Sequence, residues 1–153
     1  MSRMKICMIS PKRYINVYNV LRLADGVGTE EFIVVSPRDL VRSRLERKIL
    51  SKREPWSIIT MMDSIGDFVD YVNNEYLVSM ELHPRAHDIP SFQWKSDPCI
   101  VVGPEDGNVP EEIISISDDI IKLPMNGKVR CLNVACAATL AVWDYLLKLG
   151  DRK

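Results

Sequence analysis

CIVVGPEDGNVPEEIISISDDIIKLPMNGKVRCLNVACAATLAVWDYLLK, residues 99–148, holds two short apolar runs and one long helical pattern. The β-branched run Ile100 to Val102 stops at Gly103-Pro104 and hands over directly to an acid, Glu105. This predicts a short buried strand that delivers a carboxylate to the lip of a sheet. A second run, Ile120 to Leu123, ends the same way at Pro124, passes a polar loop with Gly127, and enters a helix over Leu132 to Leu149 whose start carries Cys131, Leu132 and Asn133. Two loops and a helix start therefore converge at strand ends, which is where α/β folds hold their ligands.

Upstream, strand-like and helix-like segments alternate. Lys5 to Ser10, Phe32 to Ser36, Ser57 to Met61 and Tyr76 to Met80 read as strands. A helix is expected from about Asn16 to Asp25, with Asn16 as its N-cap, Val17, Val20, Leu21 and Ala24 on one face, and Gly26 and Gly28 closing it. A second helical segment starts at Pro37, with Leu40, Leu45, Ile49 and Leu50 as its buried side and Arg42, Arg44, Arg47, Lys48, Lys52 and Arg53 making it the most basic part of the chain. An acidic helix near Asp63 to Asn74 turns Ile65, Phe68, Val69 and Val72 inward. Asp88 to Pro98 reads as a polar loop whose Phe92 and Trp94 pack over the sheet or at a subunit contact, and Pro110 sits at a helix start. Such alternation implies an α/β fold with a mainly parallel sheet covered by helices on both faces.

Length and composition narrow the function classes. The 153 residues suit one domain, and a hydrophobic content of 46% is enough for a core. The N-terminus has no continuous apolar run of the signal-peptide kind, and the most apolar tract, Cys131 to Trp143, is too short to span a bilayer. Four cysteines, at 7, 99, 131 and 136, form no CxxC pair, which suits thiols of a reducing, cytoplasmic compartment. A formal net charge of -1 excludes a polycationic nucleic-acid binder, so any such affinity must come from a local patch such as the basic segment. There is no GxGxxG after the first strand, no P-loop, and no Ser-His-Asp set. His83 and His87 lack further ligands nearby, so no metal site is expected.

The motifs GPEDG (103–107) and KLPMNGKVRCLNVACAA (122–138) resemble the two C-terminal motifs of the SPOUT-class, SpoU/TrmH-type RNA ribose 2′-O-methyltransferases. INVYNVLR (15–22) resembles the N-terminal N-x-x-N-x-x-R motif through Asn16, Asn19 and Arg22, so the likeness covers nearly the whole chain. Three positions depart from the pattern: Cys131 stands where Ser is usual, Tyr18 where a small Gly is common, and no Pro stands just before Asn16.

The resemblance implies a SPOUT-type fold with a C-terminal deep trefoil knot, a single catalytic domain over 1–153 with no appended RNA-binding module, and a homodimer through the closing helix. It implies S-adenosyl-L-methionine as cofactor, held near Met80, Gly103, Leu123, Cys131 and Leu132. It also implies a catalytic set of Arg22, Asn16, Glu105 and Asn133, with Glu105 the site acid and Asn133 the site amide. RNA contacts are expected from Arg22, Arg42, Arg47, Lys52 and Arg130. Among short relatives, those modifying the wobble nucleotide of tRNA are nearest in layout, so tRNA is the leading substrate and ribosomal RNA the next. A dimeric RNA- or cofactor-binding protein that lost turnover is the other reading, with Cys131 and Tyr18 as its hints. A guanidinium keeps its proton at neutral pH, so Arg22 is expected to orient a phosphate or stabilise a developing alkoxide, not to act as a base.

Overall fold

The computed structural model describes residues 3–149. Its elements run β1 (Lys5–Ile9), α1 (Tyr14–Gly26), β2 (Glu31–Val35), α2 (Asp39–Leu50), β3 (Ile59–Met62), α3 (Ile65–Tyr71), β4 (Tyr76–Met80), β5 (His87–Asp88), β6 (Pro98–Val102), α4 (Glu111–Ile114), β7 (Asp119–Lys122) and α5 (Val134–Leu149). The strands form one seven-stranded sheet in the order β3-β2-β1-β6-β4-β7-β5, with every pairing parallel. The central strands are apolar throughout, with every residue of β6 buried, as a sheet covered on both faces requires.

Each face has its own core. On one side Val17, Val20, Leu21 and Ala24 of α1, Val41 and Leu45 of α2, and Ala135, Ala138, Ala141 and Val142 of α5 pack on Ile6, Met8, Val34 and Ile100. On the other, Phe68 of α3 and Ile113 and Ile114 of α4 cover Cys7, Ile33, Cys99 and Val101. Cys7 and Cys99 are free thiols inside this core, and burial raises both; Cys99 is pushed up to about 12. They are inert small hydrophobes.

Several local expectations need correction. Asn16 does not cap α1: the helix begins at Tyr14 with Arg13 at the cap and no side-chain cap bond, and Asn16 is buried. Its amide finds better partners than a helix end. Leu40 and Leu50 are 88% and 79% exposed, because the buried stripe of α2 runs through Val41 and Leu45 instead. The stretch expected as a polar loop, Asp88 to Pro98, begins inside the sheet, since His87 and Asp88 pair with Ile121 and Lys122 as the edge strand β5. Phe92 and Trp94 are buried against α5, with Trp94 edge-on to Tyr145 and its Nε1–H donating to Asp144 at 2.8 Å. Lys148 closes this corner by donating to the carbonyls of Ile89, Pro90 and Phe92. Among the described residues no helix is long and apolar enough to cross a membrane.

Candidate active site

Four strands finish level at one edge of the sheet. Met8 and Met80 both lie in register with Val102, and Met80 also with Ile121, so the loops after β1, β4, β6 and β7 leave from one line. A cleft of about 280 Å3 opens there. Its apolar lining includes Met80, Val102, Leu123, Leu132, Val134 and Ala137, and its polar lining Arg13, Asn16, Glu81, Glu105, Arg130 and Asn133.

The loop after β6 folds back tightly on its own start. A Cβ at position 103 would lie 2.9 Å from the backbone nitrogen of Val109 and 3.1 Å from the carbonyl carbon of Asn108, so only glycine fits at Gly103. The Val109 N–H donates to Glu81 Oε2 at 2.8 Å, and Glu81 Oε1 accepts the Leu82 N–H at 2.9 Å, which ties the loop to the end of β4. On its outer side Asp106 pairs with Arg38 at the start of α2, and that guanidinium holds the Asp106 carboxyl below its usual range.

Glu105 is gripped by three donors. The backbone N–H groups of Lys12 and Arg13 donate to it at 2.8 and 3.1 Å, and Asn16 Nδ2 at 3.0 Å. Asn16 Oδ1 in turn accepts from Asn133 Nδ2 at 3.0 Å. Asn133 Oδ1 accepts the N–H groups of Ala135 at 2.8 Å and Cys136 at 3.4 Å, so Asn133 caps α5. One polar chain thus joins the loop after β6, the first turn of α1 and the N-terminus of α5. Burial pushes the Glu105 carboxyl up, but the bonds from Asn16 and the Lys12 and Arg13 backbone outweigh it and hold the carboxyl below its ordinary value.

Of the residues expected around a cofactor, Met80, Gly103, Leu123, Cys131 and Leu132 all line the cleft, as do Asn16, Glu105, Arg130 and Asn133. Arg22, Arg42, Arg47 and Lys52 do not. Arg22 is exposed on α1, and Arg42 is paired with Asp63 at 2.6 Å and Glu46 at 3.9 Å. The sequence reading missed Arg13, Glu81 and Leu82. Glu81 and Leu82 follow directly on Met80, so extending the end of β4 by two residues would have found them.

The sequence matches the model of the SpoU rRNA Methylase family over residues 3–143. The chain belongs to that family. Within reach of it among curated proteins is the tRNA (guanosine(18)-2'-O)-methyltransferase of Escherichia coli (strain K12), 27% identical over 141 residues that make up 91% of this chain and 61% of the relative. The namesake enzyme of Thermus thermophilus is 25% identical over 84% of this chain and 66% of its own. The SpoU-family region described here thus spans about three fifths of the Escherichia coli relative's length. Among solved structures, one concerned with the 2-OH methylation of C/U34 on tRNA superposes with a TM-score of 0.77 at 24% identity, covering 97% of both chains. The SpoU methyltransferase AviRb from Streptomyces viridochromogenes in complex with AdoMet superposes with a TM-score of 0.76 at 20% identity, over 96% of this chain and 61% of that one. These likenesses establish a SPOUT-type α/β fold for the SpoU-family sheet seen here.

Proposed function

We propose that this protein transfers a methyl group from S-adenosyl-L-methionine to a ribose 2′-oxygen of RNA, with tRNA as the substrate and its wobble nucleotide as the target. The observation that carries this reading is the cleft at the level ends of β1, β4, β6 and β7, where the three motifs shared with the family meet through Glu105, Asn16 and Asn133. The wobble assignment draws on the structure that matches this chain over 97% of both lengths.

The lining fits the cofactor's chemistry. Apolar Met80, Val102, Leu123 and Leu132 suit an adenine, and Glu81, Arg130 and the exposed loop backbone suit its ribose and amino-acid ends. At about 280 Å3 the cleft is at the lower edge for a ligand of this size, roughly 300–1,000 Å3, so the ligand must be compact. When bound, the cofactor supplies a methyl group on an already activated sulfonium. The protein then has to position the two reactants and shield the site, and most of that work falls to loops locked by backbone hydrogen bonds. Arg13 and Arg130 give the cleft a positive side for an RNA phosphate.

The same proposal includes a homodimer in a cytoplasmic setting. Leu140, Trp143 and Leu147 leave 44%, 56% and 60% of their surface exposed at helical spacing along α5, an apolar stripe that a second copy would cover. Arg22 then acts from the partner toward a cofactor held by this chain. It also includes the trefoil knot, which draws support from the path of the chain after β7: it crosses back past β4 and β6 to lay α5 against α1.

The test is incubation with tritiated S-adenosyl-L-methionine and a mixed tRNA pool, followed by mapping of the label. Label on a ribose 2′-oxygen is expected. Absence of transfer, together with no calorimetric heat from S-adenosylhomocysteine, would leave no enzyme to explain.

A further inference from the structure

A second hollow, of about 400 Å3, lies between α1 and α2, lined by Tyr14, Ile15, Tyr18, Arg44 and Lys48. Its base is an aromatic pavement. The ring centroids are 6.3 Å apart for Tyr14 and Tyr18, 6.4 Å for Tyr14 and Trp56 and 6.3 Å for Tyr18 and Trp56, with planes inclined by 20°, 21° and 32° in the same order. Trp56 is buried and Arg44 sits 4.0 Å above the Tyr14 ring, so the open part of the pavement is Tyr18, 36% exposed, beside Ile15, 57% exposed.

The charge around it is one-sided. Two cations and no carboxylate line the hollow. Two neighbouring cations are neutralised, Arg38 ahead of α2 by Asp106 and Arg42 by Asp63, and the exposed Arg47 of α2 does not line the hollow. Among the described residues, no ion pair takes up Arg44 or Lys48, which stand one helical turn apart on α2. An exposed ring with a cationic border matches an unpaired nucleotide, whose base offers a π-face and whose phosphate offers charge. An acidic peptide would use the cations and leave the ring without a partner.

We infer that this hollow seats an unpaired nucleotide of the RNA next to the one that is methylated, with its base on Tyr18 and its phosphate between Arg44 and Lys48. The inference rests on the RNA reading above and adds a subsite to it. Tyr14 and Ile15 line the hollow while their neighbours Arg13 and Asn16 line the cleft, so the first turn of α1 separates the two sites. One helical turn rises about 5.4 Å, close enough for consecutive nucleotides of one strand to occupy both.

The experiment is fluorescence anisotropy with a fluorescein-labelled RNA hairpin bearing an unpaired loop, compared with a fully paired duplex of the same composition. Tyr18→Leu should weaken hairpin binding about tenfold, the loss of one base–aromatic stack, while Tyr18→Phe binds like wild type. The double variant Arg44→Gln/Lys48→Gln, altered only at exposed positions, should lower the slope of log affinity against log salt by roughly 1–2. Duplex binding should not respond to Tyr18→Leu, and S-adenosylhomocysteine binding should respond to none of them. Unchanged hairpin affinity and salt slope in all variants would overturn the subsite while leaving the methyltransferase reading intact. A wild type that binds no RNA would overturn both. A change in sedimentation on Tyr18→Leu, with RNA affinity unaltered, would assign the hollow to protein contact and also overturn it.

Discussion

Replacing Glu105 by Gln separates a positioning role from an acid–base role. The carboxylate accepts three hydrogen bonds, from Lys12 N–H, Arg13 N–H and Asn16 Nδ2. A glutamine with its oxygen in the Oε1 place keeps the bonds from the Arg13 N–H and Asn16 Nδ2 and turns its NH2 toward the Lys12 N–H, which then has nothing to donate to. At about 1 kcal/mol per bond for a half-buried group, and with one bond lost, the loss is about 1 kcal/mol. For a domain of this size that lowers Tm by about 2–4 °C. The loop held by Glu105 lines the cleft, so if the same energy were all spent on loop order, S-adenosylhomocysteine would bind up to about 5-fold more weakly. The pH dependence has a definite sign. The folded carboxyl lies below its ordinary value of 4.5, so its contribution is full above that value and is lost as pH falls through the folded one. The stability gap between wild type and Glu105→Gln should therefore be wide at neutral pH and close in acid. Differential scanning calorimetry across pH, with titration calorimetry of S-adenosylhomocysteine, measures both. A Glu105→Gln protein with wild-type Tm and wild-type cofactor affinity, yet no methyl transfer, would refute the positioning account and make Glu105 a direct participant.

Gly103→Ala forces a Cβ to within 2.9 Å of the Val109 nitrogen and should cost about 1–3 kcal/mol, with weakened S-adenosylhomocysteine binding; an unshifted melting curve would show that the loop adapts freely. Cys131→Ser should preserve or raise methyl transfer, because an exposed thiol at the cleft contributes its backbone and small size; loss of transfer with cofactor binding intact would point to covalent chemistry instead. Arg47→Gln/Lys52→Gln should reduce the salt dependence of tRNA binding, whereas Arg42→Gln, which breaks the pair with Asp63, should leave that slope nearly unchanged. Arg22→Ala should bind S-adenosylhomocysteine normally and transfer almost nothing. Mixed dimers of Arg22→Ala and Asn133→Ala should regain part of the wild-type rate, and mixed dimers that form but stay inactive would place the whole site in one chain.

The strands were legible because a sheet buried on both faces leaves continuous apolar runs, and Ile100–Val102 and Ile120–Leu123 end at Gly103 and Pro124 without ambiguity. The residues that line the cleft were legible for the same reason, since loops that leave level strand ends must meet. What escaped were choices made by tertiary contact. Asn16 reads as a helix cap because amides cap helices, and only the fold brings Glu105 and Asn133, 89 and 117 residues away, to its two polar atoms. β5 escaped because two residues carry no periodicity and pair only at the free edge of β7. The buried face of α2 slipped by one position because Leu40 and Val41 are equally apolar, and the helix has to place Val41 and Leu45 against the core to seat Arg38 beside Asp106.

The hydrogen-bond pattern also bears on where the 2′-hydroxyl proton goes in the proposed transfer. A general base works best when its pKa lies near the working pH. Glu105 is held below its ordinary value, and both its oxygens already accept protein donors. Glu81, the other carboxylate lining the cleft, has both oxygens on the backbone N–H groups of Leu82 and Val109. Neither can turn toward a hydroxyl without releasing a loop that shapes the cleft. Arg13 and Arg130 carry no accessible lone pair at neutral pH. The side chains of this cleft are therefore suited to stabilising negative charge on the oxygen, not to removing its proton. An activated sulfonium makes that sufficient, because the hydroxyl can attack first and shed its proton to water or to a neighbouring phosphate as the bond forms.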